Sequence, residues 1–303
     1  MNKPIVLYRY HNNFQLVKER IKLIKLLDPG IEVYGIFGGK KDDYPEASNV
    51  LEKELANNYL IPVEDGTWKW LHADLTYKYW FNDVGCNIDF DYVYVLEWDL
   101  LIMDHLKSIF AYANKNRVIF TGLIPIEKIA RFWFWTDKNN QPKIEAFYNK
   151  VEKKFNLPFN KYACLGPGLA APRKLFEGLV KLDLFESFIS DEIKLPVWSQ
   201  ILGLEVVSNN FYKKWFSYYS MRFFNANVAN IPIETVEKQM QKKNGQRAFH
   251  PFREDIKAEQ LFDIFNKRTK KSKSPTKPYN TKSINPLSYK IHCKLMDNNF
   301  FNK

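Results

Sequence analysis

FDYVYVLEWDLLIM, residues 90–103, is the stretch whose reading decides the fold of this chain. Residues 91–96 are β-branched and aromatic, the composition of a buried strand. Glu97-Trp98-Asp99 then sets two carboxylates two residues apart. In an extended backbone, residues i and i+2 point the same way. Both acids therefore aim at one point, and hard oxygen atoms converging on one point suit a divalent cation. Taken alone, the triplet reads equally as a strand end carrying two solvated acids. Its surroundings choose between the two readings.

Upstream, the pattern alternates. Pro4–Tyr10 (PIVLYRY) reads as a first strand. Phe14–Leu27 follows with apolar positions at Leu16, Val17, Ile21, Leu23, Ile24 and Leu27, the spacing of an amphipathic helix. Asp28-Pro29-Gly30 stops it. Residues 31–37 read as a second strand ending at Gly38-Gly39, residues 47–57 as a short helix and residues 59–63 as a third strand. Residues 67–84, rich in aromatics, read as one long helix that delivers the chain into the strand at 91–96. Such alternation predicts a mostly parallel sheet with helices on both faces. In sheets of this kind ligands bind beyond the carboxyl ends of the strands. Tyr10-His11, Gly38-Gly39 and Glu97–Asp99 all fall there.

The second half is less regular. Helices are predicted over 105–114, 144–155, 175–182, 234–243 and 255–266, and strands over 117–123 and 205–208. Residues 131–136 (RFWFWT) read as a strand or as one wall of a site. In the run from Cys164 to Lys174, Gly166 and Gly168 let the backbone approach a ligand or take a positive φ. Ser190 caps a helix whose first turn holds Asp191 and Glu192, which the helix dipole favours. Pro196 offers a competing start for that helix, and Gly203 ends it either way. Simple capping accounts for Asp191 and Glu192 in isolation. Residues 211–232 carry no clear period.

Composition limits the function classes. With 303 residues, 46% hydrophobic and 16% aromatic, most of the chain should be globular. Cys86, Cys164 and Cys293 are too few and too scattered for a disulfide framework or a cysteine zinc site, which favours a reducing, cytoplasmic setting. The first residues lack the apolar run of a signal peptide, and no window reaches the roughly 20 apolar residues of a membrane-spanning helix. Of the net charge of +11, residues 267–303 hold ten Lys/Arg against the single acid Asp297, leaving about +2 for residues 1–266. The run 267–278 is basic and rich in Pro and Ser, the composition of a disordered linker.

In order and spacing, these features resemble a GT-A glycosyltransferase. Glu97-Trp98-Asp99 is similar to that family's D-x-D metal motif. Gly166-Pro-Gly-Leu-Ala-Ala-Pro-Arg-Lys-Leu-Phe176 resembles the glycine-containing turn and helix beside its donor sugar. Ser190-Asp-Glu-Ile-Lys-Leu-Pro196 resembles the acidic helix start that carries the base in inverting members, and His250 sits where many members place a C-terminal histidine on the metal. Two departures stand out: the first acid of the metal motif is Glu97 rather than Asp, and the later pair runs Asp-Glu rather than Glu-Asp.

The resemblance implies an α/β fold, a GT-A-like three-layer α/β/α sandwich with a mostly parallel central sheet plus a basic C-terminal tail. Its domain would span 1–266, with a nucleotide-binding half at 1–104 and an acceptor and donor-sugar half at 105–266, followed by the tail at 267–303. It implies a Mn²⁺ or Mg²⁺ ion on Asp99, with Glu97 and His250. Tyr8, Arg9, Tyr10, His11, Asp65, Glu97, Trp98, Gly166 and Gly168 would surround the nucleotide-sugar donor, a UDP-sugar first. Asp191 or Glu192 would be the base for a glycan, lipid-linked or protein acceptor. Trp98, Trp133 and Trp135 would offer platforms for sugar rings, or fill the core. Arg253 and Lys174 would offset phosphate charge, or lie on the surface.

Two readings compete. A metal-dependent nucleotidyltransferase would use the same acids, but it needs a Gly-rich, basic loop after the first strand, and Tyr8-Arg-Tyr-His-Asn-Asn13 stands there instead. A nucleic-acid-binding protein would have to act through its tail, because the near-neutral body carries no basic stripe. The lysine cluster would also hold a peripheral enzyme at an anionic membrane, at about 1 kcal/mol per residue close to the surface.

Overall fold

The computed structural model describes residues 3–269, except 112, 210, 212–214, 227 and 228. The strands are β1 (Pro4–Tyr10), β2 (Glu32–Phe37), β3 (Asn57–Leu60), β4 (Tyr92–Glu97), β5 (Leu101–Ile102), β6 (Arg117–Pro125), β7 (Tyr162–Pro172), β8 (Glu205–Asn209) and β9 (Ala248–Phe249). The helices are α1 (Phe14–Leu27), α2 (Tyr44–Leu51), α3 (Gly66–Leu71), α4 (Ala73–Asp83), α5 (Leu106–Ile109), α6 (Gln141–Phe155), α7 (Arg173–Lys181), α8 (Asp191–Ile201), α9 (Tyr218–Met221), α10 (Ile233–Met240) and α11 (Ala258–Thr269).

Seven strands form one sheet in the order β3-β2-β1-β4-β7-β6-β8. All run parallel except β7, which is antiparallel to both β4 and β6. Side chains alternate between the two faces. On β1, Tyr10 meets Phe14 of α1 and Phe37, and Phe37 meets Tyr44 of α2. The next residue back, Arg9, turns to Tyr77 of α4, as Tyr34 of β2 turns to Trp80. One helical layer holds α1 with α2 and α11; the other holds α4 with α7 and α8. This is the expected three-layer α/β/α sandwich with a mostly parallel sheet. Burial on both faces explains why the central strands are apolar runs.

A second sheet, of β5 and β9 only, pairs Leu101 with Phe249 and Ile102 with Ala248. It lies in a separate apolar cluster with Leu23 and Leu27 of α1 and with Val236, Met240, Leu261 and Phe252. This small ladder has a positional consequence. It fastens residues 248–252 beside the end of β4, and the Phe252 N–H donates to the Asp99 carbonyl at 2.8 Å.

Several expected boundaries shift. The predicted helix at 67–84 is two helices, broken at His72, whose φ of −122° and ψ of 51° leave the helical region. The aromatic pattern is continuous there; tertiary bonds to His72, described below, make the break. The stretch around Gly166 and Gly168 is an 11-residue strand, not a turn. Gly168 keeps a positive φ of 88°, and the β6–β7 pairing slips nearby. Ser190, not Pro196, starts α8: its Oγ accepts the Glu192 N–H, and Pro196 sits inside the helix. Among the described residues, 105–114 hold only the four-residue α5, 134–136 a single 3-10 turn, and 211–232 the short α9. β3 begins at Asn57, and α11 runs on to Thr269. The rest of the basic tail lies outside the described residues. Among those residues, no helix is long and apolar enough to cross a membrane.

Trp80 is fully buried among Tyr34, Phe81, Phe90 and Phe176, and its indole N–H makes no hydrogen bond. Trp80→Ala is expected to cost about 3–5 kcal/mol of stability in urea unfolding. Trp80→Phe should cost clearly less, because it also removes a buried, unpaired donor.

Candidate active site

Four carboxylates converge at the carboxyl end of the sheet. Glu97 is the last residue of β4, level with Arg9 of β1. The strand ends there. Residues 98–100 turn back, with the Leu100 N–H on the Glu97 carbonyl at 3.0 Å. Asp99 therefore reaches Glu97 through a turn rather than along an extended strand. Their oxygens and a ring nitrogen of His250 lie within 4.8 Å of one another.

His250 is buried with Asp99. Its Nε2 is 3.2 Å from Asp99 Oδ1, and its Nδ1 is 2.7 Å from the Asn225 carbonyl. A carbonyl only accepts, so Nδ1 carries a proton and Nε2 faces Asp99. The other Asp99 oxygen accepts from Arg253, at 3.1 Å from Nε and 2.9 Å from Nη2. The Arg253 guanidinium lies 5.4 Å from the Trp98 ring centre. Burial alone would raise the Asp99 pKa, but His250 and Arg253 outweigh it and hold it at about 2. Conversely, burial lowers the His250 pKa, and Asp99 more than reverses this.

Arg9 joins the two acid pairs. Its Nη1 is 3.3 Å from Glu97 Oε1, 3.3 Å from the Tyr77 hydroxyl and 3.8 Å from Asp191 Oδ2. Both Glu97 and Asp191 are pushed up by burial, and Arg9 offsets part of that. Glu192 lies beside Gly166 of β7, on the same side as Glu97. Its Oε1 accepts the Gly166 N–H at 2.6 Å, and the Trp135 side chain lies beside it. Burial, followed by the charge of Asp191, raises Glu192 to about 8.

Beneath this surface lies a buried charge network. Lys194 Nζ is 2.9 Å from Asp74 Oδ1, with both side chains fully buried, and 2.7 Å from His72 Nδ1. Asp74 Oδ2 accepts the Trp198 indole N–H at 2.9 Å. An ammonium only donates, so His72 accepts at Nδ1. Burial, then Lys194, holds its pKa low. These bonds tie α8 to α4 and to the break between α3 and α4. Lys194 stands one turn below Asp191 and favours its ionised form.

The expected site residues divide into three groups. Arg9, Glu97, Trp98, Asp99, Asp191, Glu192, His250 and the Gly166 backbone come together, with His11 against Trp98 at 5.3 Å between ring centres. Tyr8 and Tyr10 are core residues instead. They share the inward face of β1; the Tyr8 hydroxyl bonds the Trp98 carbonyl and the Tyr10 hydroxyl bonds Asn58. Asp65 caps α3, accepting from the Thr67 and Trp68 N–H groups, and Gly168 packs against Phe211 and Thr121. Trp133 is buried against Trp215. Sequence reasoning missed Lys194, Asp74, His72, Tyr77 and Asn225. Lys194 left a trace: it is a lone cation in the apolar run from Ile193 to Trp198.

A metal centre fits this donor set. Ligands on one Mn²⁺ or Mg²⁺ ion sit about 3–4.4 Å apart for bonds of about 2.1–2.2 Å. The 4.8 Å spread needs only a small closing of the side chains. The Asn225 carbonyl fixes the His250 tautomer, as outer partners of metal-binding histidines do.

No protein-family model matches the chain, and no curated protein matches it. Solved structures of limited similarity include an active-site mutant of LgtC, at 13% identity and a TM-score of 0.45, covering 87% of this chain and 95% of its own. The apo structure of the bifunctional glycosyltransferase WbbM has 8% identity and a TM-score of 0.42, covering 90% of this chain and 52% of its own. LgtC with donor and acceptor sugar analogs has 12% identity and a TM-score of 0.40, covering 87% and 95%. At these scores the likenesses carry no weight, and the chemistry rests on the residues above.

The Glu192 shift has a consequence for stability. The folded chain keeps a proton on Glu192 up to about pH 8, while an unfolded glutamate releases it near its usual 4.5. The native state thus binds more protons between those values, so this group makes stability fall as pH rises. Glu192→Gln should remove that fall. Its unfolding free energy relative to the native chain should increase from about pH 5 to about pH 8.5 in urea titrations.

Proposed function

We propose that this chain is a metal-dependent glycosyltransferase that moves a sugar from a nucleotide-diphosphate sugar to an acceptor hydroxyl, with inversion. The observation that carries this reading is the Glu97–Asp99–His250 cluster set within reach of a second acid pair, Asp191 and Glu192. One triad suits a cation that faces a diphosphate, and the other pair supplies a proton acceptor. A Mn²⁺ or Mg²⁺ ion on Glu97, Asp99 and His250 would neutralise the diphosphate as it leaves. Every other role falls to the chain itself.

Arg253, partly exposed and next to Asp99, can turn a guanidinium edge to phosphate oxygens. His11 and Trp98 flank the end of β1 and form one edge of the nucleotide's place. Arg9 holds Glu97 and Asp191 in position and offsets their repulsion. Glu192 is the base. It is less buried than Asp191, which Arg9 and Lys194 engage, and its raised pKa makes it a strong base once ionised, so turnover should rise with pH towards about 8. The acceptor oxygen bonds the anomeric carbon, the bond from that carbon to the phosphate oxygen breaks, and the acceptor proton passes to Glu192. The nucleoside diphosphate leaves with the electron pair.

A panel of nucleotide sugars, UDP-sugars first, tests the reading by thermal shift with and without Mn²⁺. A true donor raises the melting temperature by mass action, and the native chain should then hydrolyse or transfer from it. Asp99→Ala should abolish both that turnover and Mn²⁺ binding seen by electron paramagnetic resonance. Glu192→Gln should lose turnover yet still bind nucleotide. Full activity of Asp99→Ala, or of the native chain in excess chelator, sinks the metal role. Loss of turnover in Asp191→Asn but not in Glu192→Gln moves the base to Asp191.

A further inference from the structure

An exposed aromatic wall stands on the Glu192 side of the acid cluster. Trp70, on α3, is 55% exposed, and Phe134 is 54% exposed. The Trp70 ring centre lies 4.8 Å from that of Trp135, and the Phe134 ring centre 5.2 Å from it. Trp135 is itself half-buried, and its side chain lies beside that of Glu192. The three rings therefore continue the site outward. The order runs from His250 and Asp99 through Glu97 and the Gly166 backbone to Glu192, Trp135 and Trp70.

Nothing in the core requires this wall. Trp133, one residue earlier in the same turn, fills the core beside Trp215, whereas Trp70 and Phe134 leave most of their apolar area in water. Contiguous exposed apolar surface of this kind marks a binding site. Its neighbour is a carboxylate, which accepts hydrogen bonds. A partner that fits both has a flat apolar face and a rim of hydroxyl donors. A pyranose ring has this character: axial C–H groups make its apolar face and its hydroxyls lie around the edge. A purely hydrocarbon partner would cover Glu192 and offer it no further hydrogen bond in exchange for water.

We propose that Trp70, Trp135 and Phe134 form the acceptor subsite and that the acceptor is a saccharide, its ring laid on Trp70 with one hydroxyl directed at Glu192. This deepens the glycosyl-transfer reading and rests on it for the term acceptor; the saccharide contact itself does not require turnover. Trp70 sets the affinity for the sugar ring, and Trp135 keeps Glu192 and the platform in register.

Saturation-transfer NMR tests the contact directly. The probes are the methyl glycosides of glucose, galactose, mannose and N-acetylglucosamine, together with lactose. At least one should receive saturation from the native chain. Trp70→Ala should weaken that probe's binding about tenfold, the worth of one aromatic contact, and Trp70→Phe should restore most of it. Trp70 is exposed, so Trp70→Ala should melt where the native chain does. No contact with any probe, or equal binding by Trp70→Ala, overturns the proposal. So does Trp70-dependent association with phosphatidylcholine–phosphatidylglycerol vesicles without saccharide contact, which would make the wall a membrane patch. Donor turnover without saccharide contact would leave the transferase reading standing and remove this one. Saccharide contact without donor turnover would do the reverse.

Discussion

The Arg9 guanidinium between Glu97 and Asp191 is the interaction on which the rest of the site depends. Four carboxylates gathered in a partly buried space repel one another, and each resists ionisation unless cations compensate it, as His250 and Arg253 do for Asp99. Arg9 meets that constraint from the middle of the sheet, on the strand flanked by β2 and β4. Its backbone is fixed by ladders on both sides, and its carbonyl receives the Trp98 N–H at the start of the turn that carries Asp99. One residue thus sets both the charge balance of the acid pairs and the geometry of the chain that bears them.

The remaining charges are compensated from distant parts of the sequence. His250 and Arg253 reach Asp99 because the two-residue ladder of β5 and β9 anchors their loop. Lys194, His72 and Asp74 bind α8 to α4 within one layer, so that Asp191 and Glu192 leave a helix that cannot slide. A buried ion pair of this sort is poor in net stability but unforgiving of displacement, since either partner alone would be left as an uncompensated charge. The architecture spends buried charge on position, and position is what a transfer reaction needs.

The donor and acceptor ends of the proposed site differ in kind. One end is ionic: two acids, an imidazole and an arginine. The other is aromatic and open, at Trp70, Phe134 and Trp135. Glu192 stands between them, bonded to the Gly166 backbone and next to Trp135. That placement gives a proton acceptor two walls of opposite character, one suited to a diphosphate and one to a sugar ring.

Much of this was legible in the sequence, for a physical reason. Period-two runs and amphipathic spacing are local, so β1, α1, β2 and β4 stood near their expected places, with two acids at the carboxyl end of β4. The cap at Ser190 was legible too, because capping needs only neighbouring residues. Tertiary structure decided what depends on long-range partners. The break at His72 comes from a bond to Lys194, 122 positions away. The strand at Gly166–Gly168 exists because β4 and β6 flank it. Tyr8 and Tyr10 went inward because alternation on β1 gives Arg9 the opposite face. Asp99 met Glu97 through a turn, where strand geometry alone had suggested alignment. The sequence by itself determined which residues carry charge and aromatic surface. Only folding decided which of them face one another, because electrostatic and stacking energies depend on separations in space that sequence distance does not encode.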